Sequence, residues 1–116
     1  MDLTVIIPCY NEIDNVPTLR DNFLSVIRAL ARTRSVEVVF VDDGSRDTTW
    51  DALNKAFRDY NEPNITIRLE RHLTNRGLGA AIRTGFSVAR GEIIVTTDSD
   101  DTYPFSEIPK LLSYLT

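Results

Sequence analysis

The chain has 116 residues, 42% hydrophobic and 26% charged, and carries a net charge of −4. That is enough for one soluble domain with a modest core. It lacks the basic footprint of a nucleic-acid binder. A lone Cys9 excludes an internal disulfide and a Cys-based zinc site, and fits a reducing compartment. No apolar run approaches the ~18 residues of a membrane-spanning helix. Met1-Asp2-Leu3-Thr4 has no basic leader before polar Asn11. These features give a cytoplasmic expectation, with a peripheral membrane position open to the full-length protein.

In chain order, Leu3 to Pro8 reads as an apolar strand. Pro17 to Ala31 reads as a helix, with Leu19, Phe23, Val26, Ile27 and Leu30 at helical spacing and Asn15 as its N-cap. Val36 to Val41 is a second strand. A helix follows, capped by Asp47 and running through Trp50, Leu53, Ala56, Phe57 and Tyr60, with Trp50 and Phe57 in the core. Asn61 to Asn64 breaks it. Ile65 to Leu69 is a third strand with alternate residues inward. Gly77 to Arg90 is a small-residue helix that places Leu78, Ala81, Ile82, Gly85 and Phe86 on one side. Glu92 to Thr97 is the fourth strand. Ser106 to Leu115 is a last helix, with Pro109 tolerated in its first turn.

Strands alternating with helices imply right-handed crossovers and a parallel sheet covered on both faces. The expected architecture is a Rossmann-like α/β/α three-layer fold with strand order 3-2-1-4. Its ligand crevice would lie beyond the carboxyl ends of the strands.

Three polar clusters fall at those ends. Ile93-Ile94-Val95-Thr96-Thr97 runs into Asp98-Ser99-Asp100-Asp101, three carboxylates within four positions. A divalent cation relieves such repulsion, because hard cations take carboxylate oxygens and keep sites for phosphates. A solvated turn, or Asp101 as a helix cap, is the plainer explanation of this cluster taken alone. Val41-Asp42-Asp43-Gly44-Ser45 ends the second strand. A capping role for Ser45 or Asp47 leaves the paired Asp unexplained, whereas a carboxylate here can accept from a nucleobase or ribose. Pro8-Cys9-Tyr10-Asn11-Glu12 follows the first strand with no glycine, which weighs against a dinucleotide cofactor. Tyr10 offers a stacking face and Glu12 a carboxylate. Asn75-Arg76-Gly77 opens the third helix, where Arg76 could approach phosphate; Gly79 to Ala81 serve close packing equally well. His72, the one histidine, has no evident partner and is read as a surface residue.

Taken together, Val5-Ile6-Ile7-Pro8-Cys9-Tyr10-Asn11-Glu12, Val41-Asp42-Asp43-Gly44-Ser45-x-Asp47, Asn75-x-Gly77-x-x-x-Ala81 and Asp98-Ser99-Asp100 resemble glycosyltransferase family 2, and within it the dolichyl-phosphate mannosyltransferase-like and polyprenyl-phosphate glycosyltransferase-like enzymes. The resemblance implies a GT-A fold and an inverting transfer of a hexose from a nucleotide-diphosphate sugar, of GDP-mannose or UDP-glucose type. It further implies Mg²⁺ or Mn²⁺ and a polyprenyl or dolichyl phosphate acceptor. Carried over by position, Pro8, Tyr10, Glu12, Asp42, Asp43, Arg76 and Asp98 would bind the nucleotide, and Asp98 and Asp100 the metal.

Such enzymes run to about twice this length, so residues 1–116 are expected to form the donor-binding part. The acceptor and catalytic-base residues would then lie beyond Thr116, and the open edge of the fourth strand would invite self-association. Two alternatives stand beside this. One is a non-catalytic nucleotide-sugar-binding module. The other is a haloacid-dehalogenase-like phosphatase, whose hhhhDxDxT motif Ile94 to Thr102 also fits, with Asp98 as nucleophile and Asp100 as acid/base.

Overall fold

The computed structural model describes residues 1–100 and 104–115. Asp101 and Thr102, which belong to the acidic run and to the phosphatase motif, lie outside the described residues, as does Thr116. Four strands form one sheet: β1 (Leu3–Cys9), β2 (Val36–Asp43), β3 (Ile65–His72) and β4 (Ile93–Thr96). All pairings are parallel and the order is β3-β2-β1-β4, as the alternation of elements predicts.

The helices divide between the two faces. One face carries Leu3, Val5 and Ile7 of β1 with Val36, Val38 and Phe40 of β2. It is covered by α1 (Val16–Thr18), α2 (Leu24–Leu30), α3 (Thr49–Phe57) and α5 (Glu107–Leu115). Phe40 stacks on Phe57 at 4.6 Å between ring centres, and Phe23 meets Phe40 and Phe105 edge-on at 6.2 and 5.2 Å. These are favourable aromatic geometries at the centre of the core. The other face carries Ile6, Val39 and Val41 under α4 (Leu78–Val88).

The first helical segment differs from the single α-helix expected over Pro17 to Ala31. A 3₁₀ turn (Ile13–Asn15) leads into α1, and a π-helical turn (Leu19–Phe23) joins α1 to α2. The wider turn lets Leu19, Phe23, Leu24 and Ile27 all reach the sheet. Asn15 does not cap this helix with its side chain, which instead donates to Glu12 Oε2. Asp47 lies just before the N-cap Thr48 and accepts the Thr49 N–H at 2.9 Å, so it does satisfy a free donor of α3.

Trp50 is half-buried rather than core. Its ring lies under the Arg71 guanidinium, 5.3 Å from the ring centre, while Phe57 is buried as expected. On α4, Leu78 is 63% exposed and Phe86 50% exposed, contrary to the expected face. The helix docks through its small residues instead. A Cβ placed on Gly85 would stand 2.5 Å from Ile6 Cγ2, closer than real carbon contacts allow. Gly85→Ala is therefore expected to cost about 1–3 kcal/mol through overpacking. Urea unfolding measures this directly, and an unchanged midpoint would show that α4 does not seat on Ile6.

At the amino-terminal ends of the strands, fully buried Glu37 accepts from Thr4 Oγ1 and from the Arg90 N–H, both at 2.9 Å, with Arg68 Nε 3.8 Å away. This network ties the turn after α4 to the sheet, at the end opposite the polar clusters.

Candidate functional site

β1, β2 and β4 all end in polar residues, and parallel strands bring those ends to one edge. A cavity of about 310 Å³ opens there. Pro8, Cys9, Tyr10 and Glu12 form one wall, and Asn75, Gly77, Leu78 and Ala81 another. Asp43 lines it between them, and Asp98, Ser99 and Asp100 close the third side. Among the predicted site residues, the structure thus brings together Pro8, Tyr10, Glu12, Asp43, Asp98 and Asp100. Asp42 and Arg76 do not line the cavity. Asn75, Gly77 and Leu78 do, although only the Asn75-x-Gly77 motif hinted at them.

The first wall is held by the start of α3. Asn11 N–H donates to Ser45 Oγ at 2.9 Å, the Arg46 N–H donates to Asn11 Oδ1 at 2.8 Å, and the Glu12 N–H donates to Thr49 Oγ1 at 2.9 Å. Asp42 acts behind this wall. Strand alternation turns it away from Asp43, onto the face of Phe40 and Val38. There its Oδ1 accepts from the Ser45 hydroxyl, and Arg71 Nε lies 4.0 Å from Oδ2. Asp42 is fully buried and reaches the cavity only through Ser45 and Asn11.

Asp43 shapes the second wall. Gly44 turns the chain with φ of +69°, and a Cβ there would sit 2.3 Å from the Asn75 nitrogen. Only glycine lets the β3–α4 loop come this close. Asp43 Oδ1 then accepts from the Arg76 N–H at 2.9 Å and lies 2.7 Å from His72 Nδ1. Its Oδ2 accepts from the Gly77 N–H at 2.9 Å and from Asn75 Nδ2 at 3.1 Å. Burial pushes this carboxyl up. The hydrogen bonds from His72, Arg76 and Gly77 outweigh burial and hold it below the usual carboxylate value. Arg76 contributes its backbone here, while the residue as a whole is exposed.

His72 corrects the reading of it as a surface residue. It is 6% exposed and ends β3, three residues later than the strand was expected to stop. Its phase in the strand, two residues on from Glu70 and four from Arg68, was the signal that could have placed it opposite Asp43.

Cys9 lines the cavity yet is only 2% exposed. Burial pushes its thiol far above the ordinary range, and the charges of Glu12 and Asp42 add to this. The thiolate is the reactive form. Iodoacetamide at pH 8 is expected to label Cys9 only as fast as the protein opens. Labelling at the rate of a free thiol would contradict the buried position.

Four carboxylates, Glu12, Asp43, Asp98 and Asp100, line this one cavity. Asp98 and Asp100 are exposed and flank buried Ser99. Among the described residues, no group of three or more His, Cys, Asp or Glu is arranged to hold a metal by itself. Two exposed carboxylates on one cavity wall do suit a hard cation that keeps waters and takes phosphate oxygens. The opposite wall carries the N-terminus of α4, whose N-cap Gly77 offers no side chain and whose dipole favours an anion.

The glycosyl transferase family 2 profile matches residues 4–116. The undecaprenyl-phosphate 4-deoxy-4-formamido-L-arabinose transferase of Pectobacterium atrosepticum is 35% identical over 113 residues, which is 97% of this chain and 33% of that protein. The transferase of the same name from Yersinia pestis is 36% identical over 110 residues, 95% of this chain and 32% of its own. This chain therefore spans about a third of the length of these curated relatives.

Among solved structures, the mannosyltransferase of Pyrobaculum calidifontis in complex with GDP-Man and Mn²⁺ superposes with a TM-score of 0.73 at 31% identity, over 90% of this chain and 29% of that one. S. aureus TarS in complex with UDP-GlcNAc superposes with a TM-score of 0.64 at 27% identity, over 98% of this chain and 30% of that one. The fold is that of GT-A glycosyltransferases, as the motifs led one to expect. The phosphatase alternative gives way to a family profile that spans residues 4–116, and the chain belongs to glycosyl transferase family 2.

Proposed function

We propose that this chain is the donor-binding part of a metal-dependent glycosyltransferase. It would take a hexose from a nucleotide-diphosphate sugar of GDP-mannose or UDP-glucose type and pass it to a polyprenyl phosphate. The observation that carries this is the single cavity in which Asp98 and Asp100 face the α4 N-terminus across the carboxyl edge of the sheet. The relatives named as undecaprenyl-phosphate sugar transferases support the acceptor class. The neighbours solved with GDP-Man and UDP-GlcNAc support the donor class.

In this reading the half-exposed Tyr10 ring stacks on the base, with Pro8 and Glu12 completing that wall. Asp42 and Asp43 set the two loops against which base and ribose rest. Asp98 lies near the ribose and sugar. Arg76 stands outside the wall, able to reach phosphate by its long side chain. Asp98 and Asp100 would hold Mg²⁺ or Mn²⁺, which when bound neutralises charge on a departing diphosphate. The chain's own work is to bind and orient the donor. Self-association through the β4 edge and a cytoplasmic, membrane-peripheral setting belong to the same reading.

Calorimetry tests it. GDP-mannose and UDP-glucose are titrated into the chain with Mn²⁺ and with a chelator. Heat of binding for one of them, lost on chelation, is the expected result. No binding of either in Mn²⁺ would remove the donor assignment.

A further inference from the structure

Asp43 and His72 end neighbouring strands and are direct partners in the parallel register. Paired positions share a face of the sheet, here the face under α4. Three side chains consequently stand in line. Asp43 Oδ1 lies 2.7 Å from His72 Nδ1, and His72 Nε2 lies 2.7 Å from Thr84 Oγ1 in the middle of α4. An ionised carboxylate only accepts, so a ring proton belongs on Nδ1, while Nε2 pairs with the Thr84 hydroxyl, which can donate or accept. The order of carboxylate, imidazole and hydroxyl is that of a hydrolytic triad. Neither His72 nor Thr84 lines the cavity, however, so the hydroxyl has no substrate to attack.

The Asp43 carboxylate has four partners, two on each oxygen. A carboxylate offers about four acceptor sites, so Asp43 has none left for a ligand. It acts through the loop it holds. We infer that His72 is a positioning residue for the donor cavity: it orients the Asp43 carboxylate, which grips the Arg76 and Gly77 N–H groups and Asn75 and so holds Asn75 and Gly77 in the second wall, while its other nitrogen rests on Thr84 of α4. One buried ring thereby sets the loop and touches the helix whose first residues face the ligand. The ligand in this inference rests on the donor-binding reading above; the hydrogen-bonded geometry does not.

The test uses the full chain, three variants and two readouts. His72→Phe keeps an aromatic ring and removes both polar contacts. His72→Asn keeps an N–H near the place of Nδ1 and loses only Thr84. Thr84→Val removes the Nε2 partner. The readouts are amide hydrogen exchange at Arg76 and Gly77, and the affinity for GDP and UDP in Mn²⁺. A hydrogen bond to a charged group supports about a tenfold to hundredfold effect. His72→Phe is expected to speed exchange at these two amides by at least about tenfold and to weaken nucleotide binding comparably. His72→Asn should restore both to within about threefold of the parent.

A role in packing alone would speed exchange throughout the β1 core and leave the affinity of the folded protein unchanged. Parental exchange at Arg76 and Gly77 in His72→Phe overturns the inference, as does failure of His72→Asn to rescue. If His72→Phe does not fold, the other two variants decide. Both lack only the Thr84 contact, and equal exchange is expected; much faster exchange in His72→Asn overturns the inference. If the parent binds neither nucleotide in Mn²⁺, the donor reading fails, and the exchange arm still decides the role of His72.

Discussion

Asp43→Ala is expected to destabilise the fold by about 3 kcal/mol and to abolish tight nucleotide binding. Asp43 is 3% exposed and its carboxylate holds four partners. Its removal leaves the Arg76 and Gly77 N–H groups, Asn75 Nδ2 and His72 Nδ1 without their acceptor. Each such loss in a buried place costs about 1–3 kcal/mol, and water entering from the cavity returns part of it. Against a typical total of about 5–15 kcal/mol the remainder is large. Urea denaturation reads the stability, and a change below about 1 kcal/mol would show that the loop does not depend on Asp43.

The sign of the pH dependence follows from the same contacts. The folded carboxyl titrates below its ordinary value of 3.8. Its contribution is therefore complete above that value and is lost as pH falls through the lower folded value. The part of the stability gap between parent and Asp43→Ala that belongs to the ionised carboxylate should shrink as pH falls below about 4. A gap that widened in acid would contradict the assignment.

The second large effect concerns the cation. Asp100→Asn is expected to remove the Mn²⁺ dependence of nucleotide-diphosphate binding. A diphosphate entering this cavity meets Glu12, Asp43, Asp98 and Asp100. At an effective dielectric of about 20, one pair of like charges about 4 Å apart costs roughly 4 kcal/mol. Without a cation, a nucleoside should therefore bind comparatively well and its diphosphate poorly. In the parent, Mn²⁺ should strengthen diphosphate binding by at least about tenfold. Asp100→Asn removes a ligand and some of the repulsion together, so binding should be weak and insensitive to Mn²⁺. Thermal unfolding confirms that the variant is folded. If Mn²⁺ helps the variant as much as the parent, Asp100 does not hold the ion.

How far the sequence carried these conclusions depends on the element. The sheet order was legible because apolar strands alternate with amphipathic segments and right-handed crossovers leave few topologies. The shared edge of the three polar clusters followed from the parallel arrangement. The division of labour between Asp42 and Asp43 was not legible. Both faces of β2 are apolar, so alternation alone does not say which carboxylate turns towards α4. His72 was missed because its partners, Asp43 and Thr84, are 29 and 12 residues away in sequence. Extending the β3 alternation past Leu69 would have put it in register with Asp43. The seating of α4 misled for a different reason. Large apolar residues usually mark the buried face, but Gly85 and Ala81 allow a closer approach to Ile6 than Leu78 or Phe86 could.

The most direct test of the donor site is paramagnetic broadening of backbone amide resonances by Mn²⁺ in the presence of GDP or UDP. The account predicts broadening centred on residues 98–100 that reaches Gly77, Leu78 and Tyr10 across the cavity. Amides around Glu37 and Arg90, at the far end of the strands, should stay sharp. Broadening centred elsewhere, or the same pattern with and without nucleotide in the Asp100→Asn variant, would contradict a cation-bridged diphosphate at this edge of the sheet.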